Sequence, residues 1–138
     1  MRRILAAMIL LLVCLVCTAA IARETVTIID YKDRPATIRG AARSQERVEQ
    51  AILAATQKLK WTIAEQSAGR LLASQSWNNK HTMLVEIRYN VSSYSVVYHG
   101  STNLNYFAYG KAGPEIHPAY NDRVKALIDS IDAELQRT

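Results

Sequence analysis

Several patterns are missing from most of this 138-residue chain, and each absence excludes a class of protein. Both cysteines, Cys14 and Cys17, lie near the N-terminus, so a chain without that segment has no disulfide and no thiol chemistry. The lysines and arginines are scattered among acidic residues, and the net charge is only +5. A nucleic-acid reader instead shows a concentrated basic face. Internal repeats and low-complexity segments are also missing, which predicts one domain held together by its core.

A metal-ligand cluster is missing as well. The chain has three histidines, His81, His99 and His117. No two of them are spaced i,i+4 and no cysteine is near them, so no zinc site is predicted. If Tyr89 faces Tyr94 across a hairpin, His99 pairs with Leu84. It then points to the opposite face of the sheet from His81, because side chains alternate along a strand.

Catalytic residues are not predicted either. A hydrolytic triad could be assembled on paper from Ser101, a histidine and Asp122, because triads are recognised by geometry and not by order. The serine, however, lacks the Gly-x-Ser-x-Gly elbow of a nucleophile. Three acids are interpreted as exposed charges without partners: Glu65, Glu86 and Glu115. The sequence therefore predicts a protein that is not an enzyme and needs no cofactor.

The N-terminus has the pattern of a secretory leader. Two arginines follow Met1, and residues 4–16 are apolar without a charge. The small residues of Ala20-Ile21-Ala22 suit signal peptidase. We therefore predict a signal peptide over residues 1–22 and a single periplasmic domain over residues 23–138.

Two other fates of this segment remain open. A retained membrane anchor is one, since the apolar stretch approaches the roughly 20 residues that span a bilayer. Lipidation is the other, and would make the protein a membrane-anchored lipoprotein. Leu11 suits that modification at Cys14, whereas Val13 and Val16 are too large for the position before each cysteine. Membrane association is thus expected only through an uncleaved leader or a lipidated cysteine.

Two segments have the apolar spacing of amphipathic helices. Ser44 is placed to cap the first helix, which is predicted over Gln45 to Leu59. Its apolar face consists of Val48, Ile52, Ala55 and Leu59. The second helix is predicted from about Pro118 to Gln136. Its apolar stripe is broader and consists of Tyr120, Val124, Leu127, Ile128, Ile131 and Leu135.

Alternating and β-branched segments predict strands between and before these helices. The predicted strands cover residues 25–29, 61–65, 70–74, 81–89 and 94–99. Tyr31 to Pro35 is expected to end the first strand, and residues 78–80 and 90–93 are expected to connect the later ones. The fold class predicted is α+β, with an antiparallel sheet of about four to five strands packed against an N-terminal helix and a long C-terminal helix.

The segment IHPAYNDRV, Ile116 to Val124, concentrates polar and ionisable side chains before the last helix. Pro118 has a fixed φ and no N–H, which suits the first turn of a helix. His117 then lies at the cap, and Asp122 places a negative charge near the positive helix end. This favours a helix start over a ligand site.

The segment from 103 to 110 is predicted as a connection and is the candidate interaction surface. Its aromatic residues are Tyr106, Phe107 and Tyr109. Rigid rings beside adaptable polar residues suit the recognition of proteins or sugars. The alternative is that Leu104 and Tyr106 cover the edge of the sheet. Three other tyrosines are expected in the core or in cross-strand pairs: Tyr89, Tyr94 and Tyr98.

Four features occur in a fixed order along the chain: Trp61 after the first helix, then VEIRYN, YSVVYHGSTNLNY and IHPAYN before an amphipathic helix. In this order they resemble a family of small bacterial envelope proteins, many of them lipoproteins, of uncharacterised function. The similarity covers roughly Val48 to Ile131. An Arg-Trp pair follows IHPxYN in the family, whereas Asp122-Arg123 stands here. The resemblance implies a helix-grip-like fold and supplies no catalytic residues. By architecture only, the chain is more distantly similar to a lipoprotein of the outer-membrane assembly machinery.

Two functions are consistent with these features. The first is a non-catalytic envelope domain that binds a protein or cell-wall component through its sheet and residues 103–110. The alternative is a periplasmic carrier or sensor that holds a small apolar ligand between the sheet and the C-terminal helix. Cavity volume distinguishes the two, because ligand pockets have about 300 Å³ or more and are lined by apolar groups.

Overall fold

The computed structural model describes residues 24–37 and 44–137. In chain order the elements are β1 (Val26–Thr27), β2 (Tyr31–Pro35), α1 (Gln45–Lys58), β3 (Thr62–Ser67), β4 (Arg70–Trp77), β5 (His81–Tyr89), β6 (Ser93–Thr102), β7 (Phe107–Gly110), β8 (Gly113–Ile116) and α2 (Ala119–Arg137). The fold is α+β, which confirms the predicted class. The predicted leader, residues 1–22 with both cysteines, lies outside the described residues. Within the described ranges, neither helix is long and apolar enough to cross a membrane.

A five-stranded antiparallel sheet in the order β2-β6-β5-β4-β3 forms the centre of the molecule. Strand β5 has the predicted bounds, and its alternating side chains Met83, Val85, Ile87 and Tyr89 are buried. They share one hydrophobic core with the apolar faces of both helices. An antiparallel sheet packed against an N-terminal helix and a long C-terminal helix is the arrangement that was predicted.

Helix α1 begins where the sequence indicated. The Ser44 side chain accepts a hydrogen bond from the Arg47 backbone N–H, which would otherwise lack a partner in the first turn. The helix ends at Lys58, one residue before the predicted end, and Leu59 forms the C-cap. Its predicted face is buried at Val48, Ile52 and Ala55.

Helix α2 contributes most of the helical core. All six residues of the predicted stripe are buried, namely Tyr120, Val124, Leu127, Ile128, Ile131 and Leu135. The helix contacts α1, so the two helices form one layer over the sheet. Its start at Ala119 and its end at Arg137 each differ from the prediction by one residue.

The prediction for the first strand was wrong. Only Val26–Thr27 of the predicted 25–29 is a strand, and it pairs with β8. The residues expected to end that strand form β2 and pair with β6. Its sequence resembles a turn because it contains Lys32, Asp33, Arg34 and Pro35. These residues lie at the edge of the sheet, where charges and a missing N–H are tolerated.

The segment from 103 to 110 is also not a simple connection. Residues 107–110 form β7, which makes a hairpin with β8. The strand order β1-β8-β7 gives a second, three-stranded sheet that the sequence did not predict. Four-residue strands carry too few residues to show a clear alternation, so periodicity could not reveal them. Strand β6 is longer than its predicted 94–99 at both ends.

Candidate functional site

The segment IHPAYNDRV forms the start of α2. His117 Nδ1 accepts a hydrogen bond from the Ala119 backbone N–H at 3.1 Å. The Tyr120 N–H donates to the His117 carbonyl at 3.0 Å, and both Ile116 and Tyr120 are fully buried. Asp122 lies in the first turn of the helix, as predicted. The histidine therefore has the capping geometry that the sequence favoured.

Asn121 has a structural role that sequence reasoning did not assign. Its side-chain Nδ2 donates to the Thr27 carbonyl at 2.9 Å. Its Oδ1 accepts from the Ile29 backbone N–H at 3.1 Å. One amide thus links the start of α2 to the end of β1 and to the residues after it, 92 to 94 positions earlier. No local pattern could identify a partner at that separation.

Arg123 packs on an aromatic ring. Its guanidinium carbon lies 4.0 Å from the centroid of the Trp77 ring, and Nη1 donates to the Gln75 side chain at 3.0 Å. Trp77 in turn stacks on His81 at 5.3 Å. A guanidinium over an indole face is a cation–π contact worth roughly 0.5–1 kcal/mol at exposed sites. In this chain Arg123 therefore docks the start of α2 on β4, and Asp122 lies in the first turn of the helix.

The predicted pairing of His99 was wrong. Leu84 pairs with Gly100 and Val85 with Tyr98, which leaves His99 as an extra residue in a β-bulge. The bulge shifts the register by one position, and His99 is exposed. A bulge has no reliable sequence signal, so the register could not be counted from the hairpin loop.

The other two histidines lie at one surface pocket of about 470 Å³. His81 and His117 line it with Lys80, Asn103 and Asn105. His81 Nδ1 lies 2.9 Å from the Asn103 carbonyl oxygen. Among residues 24–37 and 44–137, no group of three or more His, Cys, Asp or Glu lies together. The pocket thus combines imidazole and amide groups without the four-ligand set of a structural zinc site.

The residues of the hypothetical hydrolytic triad do not form one, because each makes other contacts or lies elsewhere. The Ser101 hydroxyl lies 2.9 Å from the Tyr98 hydroxyl. His117 uses Nδ1 for the helix cap, and His99 is in the bulge. Asp122 is exposed in the first turn of α2. The observed partner of the serine is a tyrosine, which is not a general base that would activate it at neutral pH.

The prediction that Glu65 and Glu86 lack partners was wrong. Glu86 is 8% exposed and accepts from Arg70 Nε at 2.8 Å and from Arg88 Nε at 2.5 Å. Arg70 Nη1 also donates to Glu65 at 3.2 Å. The hydrogen bond from Arg70 holds the pKa of Glu86 below its ordinary value, against the opposing effect of burial. These ion pairs join β3, β4 and β5 on the face of the sheet away from the helices.

Glu115 also has a partner, contrary to prediction. Its Oε2 accepts a hydrogen bond from the Thr25 hydroxyl at 2.9 Å. Its side chain lies directly over Gly110, where an added Cβ would come within 2.4 Å of Glu115 Cγ. Because Gly110 has no side chain, there is room on β7 for the side chain of Glu115 from β8. The same carboxylate also binds Thr25, just before β1.

A second polar cluster joins β2, β6 and α2 and has no signal in the sequence. The Tyr94 hydroxyl donates to Asp132 Oδ1 at 2.5 Å, and Arg34 Nη2 donates to Asp132 Oδ2 at 2.5 Å. Arg34 Nε also donates to the Tyr94 hydroxyl at 3.1 Å. Burial raises the pKa of Tyr94 far above its ordinary value, with the Asp132 carboxylate adding to the shift. The neutral tyrosine thus serves as a buried donor.

The candidate interaction surface is exposed. We call Tyr106, Phe107 and Tyr109 the aromatic patch, and their exposed fractions are 44%, 54% and 87%. The Phe107 and Tyr109 rings meet edge to face with centroids 6.3 Å apart. Of the two residues alternatively expected to cover the sheet edge, Leu104 is buried and Tyr106 is exposed.

Stacked rings connect this patch to the core. Tyr106 stacks on Tyr98 with centroids 4.7 Å apart and planes 8° from parallel. Tyr98 meets the buried Tyr120 edge to face at 5.5 Å. Tyr89 and Tyr94 are buried and pair across β5 and β6, as predicted. Tyr106 is therefore supported by rings that are themselves packed, whereas Phe107 and Tyr109 contact each other.

The apolar face of α2 is buried against the rest of the core. Tyr120, Val124, Leu127 and Ile131 of α2 are all 0% exposed. They line none of three surface pockets of about 550, 470 and 210 Å³ in the described part of the chain. The largest of these lies on the opposite side, where β2, β5 and β6 present charged and hydroxyl side chains.

The chain matches no protein-family model, no curated protein and no solved structure. The resemblance to small bacterial envelope proteins therefore stays a prediction that rests on sequence motifs.

Proposed function

We propose that this protein is an exported, non-catalytic domain of the cell envelope that binds another protein or a cell-wall component through the aromatic patch. The observation that carries the proposal is the exposure of neighbouring rings at Phe107 and Tyr109. Exposed apolar groups that are contiguous mark interaction sites far more often than scattered single residues do. Aromatic rings are also the side chains most enriched among the residues that dominate binding energy.

The support beneath the patch favours binding. Tyr106 is stacked on Tyr98, and the Leu104 carbonyl accepts a hydrogen bond from the His117 N–H at 2.8 Å. The segment before β7 is thus held against the start of α2. A surface already held in one conformation loses less entropy when it binds, so more of the contact energy appears as affinity.

The carrier alternative has less support. A small apolar ligand between the sheet and α2 would need space where Val124, Leu127 and Ile131 are fully buried. The pocket of about 550 Å³ is lined by polar and charged groups such as Lys32, Asp33 and Arg88. Pockets for apolar ligands are lined mainly by hydrophobic side chains.

Export is the part of the proposal that rests on the N-terminal sequence alone. Intact-mass analysis of the protein purified from cells should give a chain that begins at Arg23. A mass that corresponds to a diacylated Cys14 or Cys17 would instead indicate a lipoprotein. An unprocessed chain in the membrane fraction would indicate a retained anchor.

The binding role is tested by photo-crosslinking in living cells. A photoreactive residue at Tyr109 should capture a partner that the same residue at Ala126, exposed on α2, does not capture. Binding of the purified partner should then weaken by more than about 1 kcal/mol on Tyr109→Ala or Phe107→Ala. Val91→Ala, another exposed apolar residue, is the matched control. Equal binding by all three variants would contradict the proposal.

A further inference from the structure

One of the four edge strands in the described sheets differs from the others. Edge strands present unpaired backbone N–H and C=O groups, and proteins usually protect them with charges, proline, bulges or very short length. Strand β1 has only two residues. Strand β3 carries an acidic residue, Glu65. Strand β2 carries Lys32, Asp33, Arg34 and Pro35, and Asp33 has a left-handed backbone with φ of 50°.

Strand β7 has little of this protection. Its sequence, Phe107-Ala108-Tyr109-Gly110, contains no charge and no proline. Its register with β8 is irregular, but that irregularity lies on the side that is already paired. Phe107, Ala108 and Tyr109 are all exposed. An apolar edge of this kind is a template for a further strand.

We propose that an extended segment of a partner protein adds to the free edge of β7 as a further strand of the small sheet. This rests on the proposed function and specifies how the partner is held. In strand addition, main-chain hydrogen bonds supply much of the affinity and contacts with alternate side chains supply the specificity. The Phe107 and Tyr109 rings meet edge to face beside this edge and provide such contacts.

The patch also indicates the chemistry of the segment. In the added segment, we expect apolar side chains at the alternate positions that face Phe107 and Tyr109. Lys111 is exposed directly after β7. It favours an acidic residue near the corresponding end of the added strand, because opposite charges across neighbouring strands stabilise the pairing.

A second copy of this chain is a poorer occupant of the edge. Four residues of strand extend about 13 Å. Two such short strands in symmetric pairing bury far less than the roughly 800 Å² per partner of a stable interface. An extended segment of another protein can bind the edge transiently, and some transient signalling contacts bury less area than a stable interface.

The test is a peptide selection against the purified protein, in the form that is isolated from cells. A displayed library of random 12-residue peptides should yield sequences with alternating apolar residues and an acidic end. Titration with the selected synthetic peptides should shift the backbone amide signals of residues 107–110. Ala108→Lys should weaken binding about tenfold or more, because an edge charge opposes strand pairing. Ala108→Pro should weaken it similarly, by removing a donor. The matched control is Ala64→Lys on the β3 edge, which should bind like the unmodified protein.

Each other outcome overturns the inference. It fails if no peptide is selected, or if the selected peptides bind both Ala108 variants normally. A dimer in sedimentation that Ala108→Lys dissociates would show that a second copy occupies the edge. If a crosslinked partner is lost on Tyr109→Ala but retained on Ala108→Lys, the rings act through side chains alone. The proposed function then survives without strand addition.

Discussion

The central sheet and strand β7 of the small sheet differ in how far their apolar side chains are exposed to solvent. In the five-stranded sheet, Leu71, Val85 and Ile87 face the helices and are fully buried. In the three-stranded sheet, Phe107 and Tyr109 of β7 face solvent. Burial of apolar area contributes most of the stability of a domain, at roughly 25 cal/mol per Å². The large sheet therefore stabilises the fold, whereas in the small sheet Ile116 of β8 joins the core and the rings of β7 contribute little to it.

The largest effect that separates the two regions is expected from Leu127→Ala. This side chain is fully buried between α2 and the sheet. Its truncation leaves a cavity and should lower the free energy of unfolding by about 2–5 kcal/mol, measured by urea denaturation. The control is Ile29→Ala, because Ile29 is 49% exposed and lies just after β1. A loss below about 0.5 kcal/mol at Leu127 would mean that α2 does not dock as described.

A smaller loss is expected from Asp132→Ala. The change removes the acceptor for the Tyr94 hydroxyl and for Arg34. Because the Tyr94 ring is buried, the loss of its acceptor should cost about 1–3 kcal/mol. The matched control is Asp129→Ala on the exposed face of the same helix, where the pair with Lys125 is worth about 0.3–0.5 kcal/mol. Equal melting temperatures of the two variants would refute a stabilising role for the cluster.

A pH dependence is expected from Glu86. Its pKa in the folded protein is lowered, chiefly by the hydrogen bond from Arg70. The stabilisation is therefore fully present above the ordinary carboxyl pKa of 4.5 and is lost as the pH falls through the lower folded value. Unfolding curves between about pH 6 and pH 3 should show a loss of stability that is smaller in Glu86→Gln. The same slope in both proteins would show that other carboxylates cause the acid sensitivity.

The smallest effect on stability is expected from Tyr109→Ala. The ring is 87% exposed, so the free energy of unfolding should change by less than about 0.5 kcal/mol. Thermal unfolding of the variant beside the unmodified protein checks this. A destabilisation above about 1 kcal/mol would indicate that the ring holds the small sheet together, and it would remove the contrast between the two regions.

The helices and the central strand could be predicted because their patterns are long. Helix α2 repeats its apolar positions over nineteen residues, and β5 alternates over nine. Ser44 was recognisable as a cap because the helix start leaves N–H groups without partners. These signals are local and survive in a chain that has not yet folded.

The failed predictions involve short strands and distant partners. Strand β2 resembles a turn because its charged residues and Pro35 suit an edge as well as a loop. Strand β7 is too short to show a period, and the close approach of Glu115 to Gly110 is visible only once β7 and β8 are paired. Glu86 was treated as exposed because its partner Arg70 is sixteen residues away and meets it only through strand register.

Local patterns in the sequence were enough to predict the two helices, the capping residue of α1, the main hairpin from β5 to β6 and the α+β class. Each depends on periodicity or on the bonding needs of nearby backbone groups. Four features became visible only in the folded chain: the second sheet, the bulge at His99, the cluster of Arg34, Tyr94 and Asp132, and the open edge of β7. These depend on which distant segments meet, and that is set by how the whole core packs.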